Sequence, residues 1–411
     1  MDVEQQVREA YVERLGALEL SGGDVGAARR TGARLRTRRR LAVGAAAVAV
    51  GAVAVGGTLL GTGRVSVGPS HSVGHWRELP TPPLSPRADA LSVWTGREVV
   101  VVGGDPDPCP PNADCATAPR ELRDGAAYDP ATDAWHRIAP APVTVGPGDR
   151  LLSAAGRVVL RHWQEHGSRL FVYDPAGDEW SEIPTLLADL PSAVGQRVYG
   201  FRDGRVTMYD AERGVWDERI PRDRIQPRLT QRRITATSSG PVVTGVPANV
   251  PRDGSVPPVV AADLYDGTTW HRLPTTGQVG NNAWFWTGTR LVDPEPGTLD
   301  GGETDSWGRS YPQGGILDPA TGSWSPLPSG LTDHGDGWTV NASGGRWVAT
   351  YGQVYDTGSG RVWELPRPDD TPDLATTAVW TDRALLVFGG VDSAQGYSGD
   401  ALTNHAWLYT P

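Results

Sequence analysis

Residues 173–184 read Tyr-Asp-Pro-Ala-Gly-Asp-Glu-Trp-Ser-Glu-Ile-Pro, and the same unit recurs along the chain. Tyr128-Asp129-Pro130 leads to Trp135 and Ile138, and Tyr209-Asp210 to Trp216, Ile220 and Pro221. Tyr265-Asp266 leads to Trp270, Leu273 and Pro274, and Leu317-Asp318-Pro319 to Trp324, Leu327 and Pro328. Tyr355-Asp356 leads to Trp363, Leu365 and Pro366. Successive tryptophans from Trp135 to Trp363 stand 45, 36, 54, 54 and 39 residues apart, a period that signals a repeat architecture with loop insertions. Short β-branched runs lie between the units. Two of them, Val99–Val102 and Leu385–Phe388, end in the double glycines Gly103-Gly104 and Gly389-Gly390.

Each repeat reads as four strands, a to d: an inner strand, the apolar run, a strand ending at Tyr-Asp, and an outer strand carrying Trp. Asp-Pro and Asp-Gly supply the c–d turn, and Trp fills the groove between neighbouring sheets. These motifs resemble the kelch repeat over residues 75–411. The resemblance implies an all-β fold, a β-propeller of the kind found in the central domain of galactose-oxidase-like proteins. His75-Trp76-Arg77-Glu78-Leu79-Pro80 is a d strand with nothing before it, while Trp407-Leu408-Tyr409-Thr410-Pro411 is a c strand with nothing after it. Pairing the two predicts a ring of seven blades with no open edge.

The 411 residues contain 52 Gly and 35 Pro, which suits many turns and short strands. All 38 basic residues are Arg, so no Schiff-base or P-loop lysine exists. A formal net charge of −10 argues against nucleic acid as a partner.

Residues 41–63, LAVGAAAVAVGAVAVGGTLLGTG, carry no charge and predict one transmembrane helix. At about 1.5 Å per residue they reach roughly 34 Å, enough for a hydrocarbon core of about 30 Å. Residues 29–40 hold seven Arg and no acid, which places the N-terminus in the cytoplasm and the rest outside. The alternative is a cleaved signal peptide of twin-arginine type around Thr37-Arg38-Arg39-Arg40-Leu41, but Val55-Gly56-Gly57-Thr58-Leu59-Leu60-Gly61 offers no A-x-A site. Within residues 1–28, the spacing of Val3, Val7, Tyr11, Leu15 and Leu18 predicts an amphipathic N-terminal helix. Its unpartnered apolar stripe suits a cytoplasmic protein, held through residues 2–20, or the membrane surface; the alternative is a topogenic tail. This head resembles that of actinobacterial single-pass proteins, some of them anti-sigma-factor-like, but it lacks the His and two Cys of the zinc-binding type. Residues 64–74 are a linker. The exported part has 29 Arg against 42 acids, a net charge of −13.

Cys109 and Cys115 are the only cysteines, and an oxidising compartment favours a disulfide between them. Long insertions follow the b strands of blade 1 (104–124), blade 4 (246–259), blade 5 (293–313) and blade 7 (390–403). In a four-stranded antiparallel blade the b–c and d–a loops share one face, so all four insertions decorate that face. Long loops on a rigid scaffold are where binding is usually placed, although exposed loops also drift. Residues beginning the a strands reach the channel mouth there: Arg87, Asp89, Asp149, Arg150, Arg232, Arg233, Asn282, His334 and Asp336. Convergent arginines suit a carboxylate or a sugar acid, against the alternative of an ordinary polar channel. In the blade 5 insertion Asp300, Glu303, Asp305, Trp307 and Tyr311 set acids beside aromatics, which suits a carbohydrate or calcium contact without EF-hand spacing.

Enzyme chemistry is not expected, and no cofactor is. Oxidases resembling galactose oxidase need a Tyr–Cys crosslink and His ligands in the channel, whereas both cysteines here share an outer loop. Asp266-Gly267-Thr268-Thr269-Trp270 resembles a sialidase Asp box but is one residue short, and no G-x-S-x-G, H-E-x-x-H or P-loop occurs. The expected function is a membrane-anchored scaffold that binds extracellular protein or glycan through the decorated face. The alternatives are a transmembrane sensor acting through residues 2–20 and a divergent propeller hydrolase or oxidase.

Overall fold

The computed structural model describes residues 74–110, 120–165, 167–187, 191–217, 219–299, 307–332, 338 and 340–411. It contains seven four-stranded sheets. Blade 1 runs Leu91–Trp94, Val99–Val102, Gly125–Asp129 and Ala134–Ile138. Blade 2 has the long hairpin Arg157–Gln164 and Gly167–Asp174 between Arg150–Ala154 and Glu179–Leu187. Blade 3 comprises Ser192–Val194, Arg197–Arg202, Arg205–Asp210 and Val215–Asp217, and blade 4 Leu229–Thr237, Gly240–Pro247, Ala261–Tyr265 and Trp270–Arg272. Blade 5 is the slightest, with Phe285–Trp286, Leu291–Asp293, Gly315–Leu317 and Trp324–Ser325. Blade 6 comprises Ala342–Gly344, Trp347–Thr350, Gln353–Asp356 and Arg361–Glu364.

Blade 7 closes the ring. Its a, b and c strands are Thr377–Trp380, Leu385–Phe388 and Ala406–Thr410, and its outer strand is His75–Glu78. Trp76 stands opposite Tyr409 and Glu78 opposite Trp407, as the two unpaired chain ends predict. Apolar clusters then fill every junction between successive blades. One joins Val100 and Ile138 of blade 1 to Leu160 and Phe171 of blade 2. Others follow around the ring to the one joining Leu386 and Phe388 of blade 7 to Val99 and Ala126 of blade 1. There is no single central core; burial is shared among seven sheet-on-sheet contacts.

The repeated residues explain those junctions. In blades 1 to 4 the motif Tyr and Trp are cross-strand partners, with ring centroids 5.2, 5.2, 5.3 and 5.4 Å apart. Trp76 and Tyr409 repeat the pair in blade 7 at 5.1 Å. In blades 2, 4 and 7 the Trp leans on the preceding blade, where its indole N–H donates to the carbonyl of the residue just after the motif Leu or Ile; the indole N–H groups of Trp135 and Trp216 have no such partner. Trp180 donates to Ala139 at 2.9 Å, Trp270 to Pro221 at 2.8 Å and Trp76 to Pro366 at 2.7 Å. The Trp of one unit and the end of the preceding one are thus two halves of a single contact, each bond adding about 1 kcal/mol net.

Blade 6 departs from this. Trp363 follows its Tyr by eight residues, whereas the interval is odd in blades 1 to 5. Side chains alternate along a strand, so one extra residue turns Trp363 to the other face. It stands opposite Val354 instead of Tyr355, packs with blade 7 and donates to the Tyr409 hydroxyl at 2.8 Å.

Among the described residues the only helical element is a 3-10 turn, Gly399–Ala401, and no helix is long and apolar enough to cross a membrane. The expected N-terminal helix and the transmembrane segment 41–63 lie outside the described residues. Among the described residues there is no free cysteine; Cys115 is outside them.

Candidate functional site

The insertions after the b strands are braced in two neighbouring pairs. Between blades 7 and 1 the brace is the short segment 87–89. Arg87 N–H donates to the Thr403 carbonyl at 3.1 Å, and Gly390 N–H to the Arg87 carbonyl at 2.9 Å. Ala88 bridges to Asp105, and a small apolar cluster of Ala88, Val391, Ala401 and Leu402 forms beneath. The double glycines allow this approach. Gly104 (φ 98°) has the Ala88 carbonyl only 2.6 Å from where a Cβ would stand, and Gly389 (φ 65°) has that of Arg87 at 2.7 Å. Between blades 4 and 5, Trp307 donates its indole N–H to the Gly254 carbonyl at 2.7 Å and meets Tyr311 edge-on at 5.8 Å. Arg309 covers the other side of Tyr311 at 4.5 Å. Both aromatics thus hold the lobe together. Asp300, Glu303 and Asp305 lie outside the described residues.

The residues expected at the channel mouth divide sharply. Arg87 is 1 % exposed and fully engaged inside the protein. Its Nη1 and Nη2 grip both oxygens of Asp124 at 2.7 and 3.0 Å, and its other bonds reach Gly103 and Ser85. Asp149 is engaged too, accepting from Trp163 N–H at 2.8 Å and facing His162 Nδ1 at 3.1 Å. Arg232 lies over the Phe201 ring at 4.4 Å and donates to the Gly204 carbonyl, on the blade 3 side. Asn281 also ties blades 4 and 5, donating to the Gln231 carbonyl at 2.8 Å and accepting from Trp284 at 3.0 Å. Its neighbour Asn282 is exposed and contributes its backbone N–H to Asp293 at 3.0 Å. His334 and Asp336 lie outside the described residues.

What remains is electropositive. Arg150 makes no hydrogen bond or ion pair among the described residues, and directly across the hairpin stands Arg161. Like charges in that position repel and destabilise a sheet. Arg150 is open to solvent but walled by protein, so its guanidinium is held below the usual arginine range first by desolvation, then by Arg161 and Arg233. Arg233 keeps only its Nε bond to the Asn281 carbonyl, at 2.8 Å. At the brace between blades 7 and 1, Asp89 (φ 53°) has its carboxyl pushed up by burial and by Asp105. The structure thus brings Arg150 and Arg233 together with Arg161, which sequence reasoning missed. A charged residue interrupting the apolar run 157–164 was its one visible signal.

Asp293, at the root of the blade 5 insertion, was also missed. It is fully buried, and burial pushes its carboxyl up to about 6 despite a bond from Asn282 N–H, with Glu295 adding repulsion. Its Oδ1 has no partner. The opposite face carries a groove of about 520 Å³ between blades 1, 2 and 3, lined by Arg97, Glu98, His136, Arg157, Asp174 and Glu212. Arg157 there is satisfied by Asp174 at 3.1 Å and the Ala211 carbonyl at 2.6 Å. No His, Cys, Asp or Glu cluster among the described residues is fit to hold a metal.

No family model matches the chain, and no curated protein sequence matches it. Among solved structures, one described as "Structure of YjhT" aligns with a TM-score of 0.37 and 12 % identity, over 62 % of this chain and 88 % of that one.

Proposed function

We propose that this protein is a kelch-type propeller, anchored in the membrane by residues 41–63, that binds an exported protein or a glycan through its b–c/d–a loop face. The observation that carries this reading is the mouth cluster of Arg150, Arg161 and Arg233. A like-charge cross-strand pair costs stability, and no carboxylate among the described residues offsets Arg150. An anionic group on a partner would supply that missing charge. The braced insertions give it a rigid surround, and a Cys109–Cys115 disulfide would fix the tip of the blade 1 loop. The arginine-rich segment 29–40 supports a cytoplasmic N-terminus and an extracytoplasmic propeller. The chain's own groups are read as binding groups, with no catalytic role.

The test places a photo-crosslinking residue at Trp163, which is 56 % exposed on the decorated face, or at Glu212 in the groove of the other face. Full-length protein is irradiated in its native membranes. Adducts from position 163 and none from 212 are expected. Adducts from 212 alone would move the binding face to the opposite side and end this reading.

A further inference from the structure

Among the described residues four large apolar side chains stand exposed: Trp163 at 56 %, Val256 at 44 %, Val215 at 43 % and Leu299 at 40 %. Scattered singly, such residues need no explanation. Here they are not scattered. Trp163 stands near the tip of the long blade 2 hairpin, and Val256 and Leu299 sit in the insertions of blades 4 and 5, so three of the four share the decorated face. Only Val215, just beyond the c–d turn of blade 3, is on the other.

Each of the three has a firm support. Trp163 N–H donates to Asp149 at 2.8 Å. Leu299 is paired with Tyr311, whose ring lies between Trp307 and Arg309. Trp307 donates in turn to the carbonyl of Gly254, two residues from Val256. Apolar groups already held in place lose little freedom on binding, which favours affinity. Inward of these tips, on the a strands of blades 2 and 4, are the exposed Arg150 and Arg233, close enough to repel each other.

We propose that the ligand of this face is a protein, which seats apolar side chains on Trp163 and on the lobe that carries Val256 and Leu299, and sets a carboxylate against Arg150 and Arg233. This rests on the decorated face being the binding face, and it selects protein over glycan. A saccharide would use the flat Trp163 ring and the arginines. The branched tips of Val256 and Leu299 offer it neither a stacking plane nor a hydrogen bond. Tryptophan and arginine most often dominate protein interfaces, within surrounding contacts that exclude water, and the two aliphatic tips suit that second role. A footprint reaching from blade 2 to blade 5 also suits the roughly 800 Å² that a stable interface buries on each partner.

The test uses full-length protein in its native membranes, with a photo-crosslinking residue at Glu165, beside Trp163, or at Ser255, beside Val256. One and the same second protein joined from both positions is the expected result. Val256→Ser with Leu299→Ser should cut the adduct formed from position 165 about tenfold, since two apolar contacts are lost. Val215→Ser, the same change on the opposite face, should leave it unaltered. An adduct whose added mass is saccharide, a protein adduct from 165 with none from 255, or an undiminished yield in the Val256/Leu299 variant would overturn the proposal and leave the mouth as the binding site. So would an equal loss in Val215→Ser. Adducts from neither position, with or without one from Glu212, would end the decorated-face reading and this proposal with it.

Discussion

Arg87 and Arg150 occupy related places, just before and at the start of an inner strand on the decorated face, and the protein treats them in opposite ways. Every donor of Arg87 is met inside the protein, in the region where blades 7 and 1 keep their double glycines. Arg150 stands in a blade that has lost that motif and extended its b–c hairpin, and it faces another arginine without a compensating acid among the described residues. An arginine near a propeller channel is therefore not evidence of a ligand site. What separates the two arginines is whether the protein itself satisfies the side chain.

The comparison breaks most severely if the closure of blade 7 is removed. Deleting His75–Leu79 exposes the edge of Ala406–Thr410 and strips Tyr409 of its Trp76 contact. Loss of soluble, cooperatively folded protein is expected, read by size-exclusion chromatography and thermal melts. Arg87→Met should cost about 3 kcal/mol by chemical denaturation, the lower end for breaking a buried pair, because Asp124 stays partly open to solvent.

Asp293→Asn probes the buried carboxyl of blade 5. Its folded pKa of about 6 lies above the ordinary aspartate value of 3.8, so its stabilising contribution is complete below about pH 4 and is lost as pH rises through 6. Wild-type protein should therefore melt at a lower temperature at pH 7 than at pH 5 on account of this group, through a loss of about 1.3 kcal/mol of stability across that interval. The Asn variant should flatten that difference. Arg150→Met completes the contrast with Arg87: its unfolding midpoint should move by no more than about 0.5 kcal/mol, and toward greater stability, since a repulsion is removed.

Much of the fold was legible because the repeat couples strand to strand. The Tyr–Trp spacing fixes register, and two unpaired chain ends can be joined in only one way. The reversed Trp363 was legible as well, in the parity of an eight-residue interval, but treating all six units as equivalent hid it. The candidate site was less legible. Ser85, Gly103 and Asp124 meet Arg87 from up to 37 positions away, so that its donors are engaged cannot be read along the chain. Arg161 looked like an interruption in a β strand, and only hairpin pairing sets it against Arg150. The groove on the opposite face is made from ordinary short hairpins of three blades, so loop length carried no sign of it.

The most direct test of the account is crosslinking from position 163 in native membranes, repeated with Arg150→Met and Arg233→Met combined. If Arg150 and Arg233 recognise the partner, the adduct is lost while the unfolding midpoint stays at its wild-type value. An undiminished adduct in a folded double variant would contradict the assignment of the mouth as the binding group.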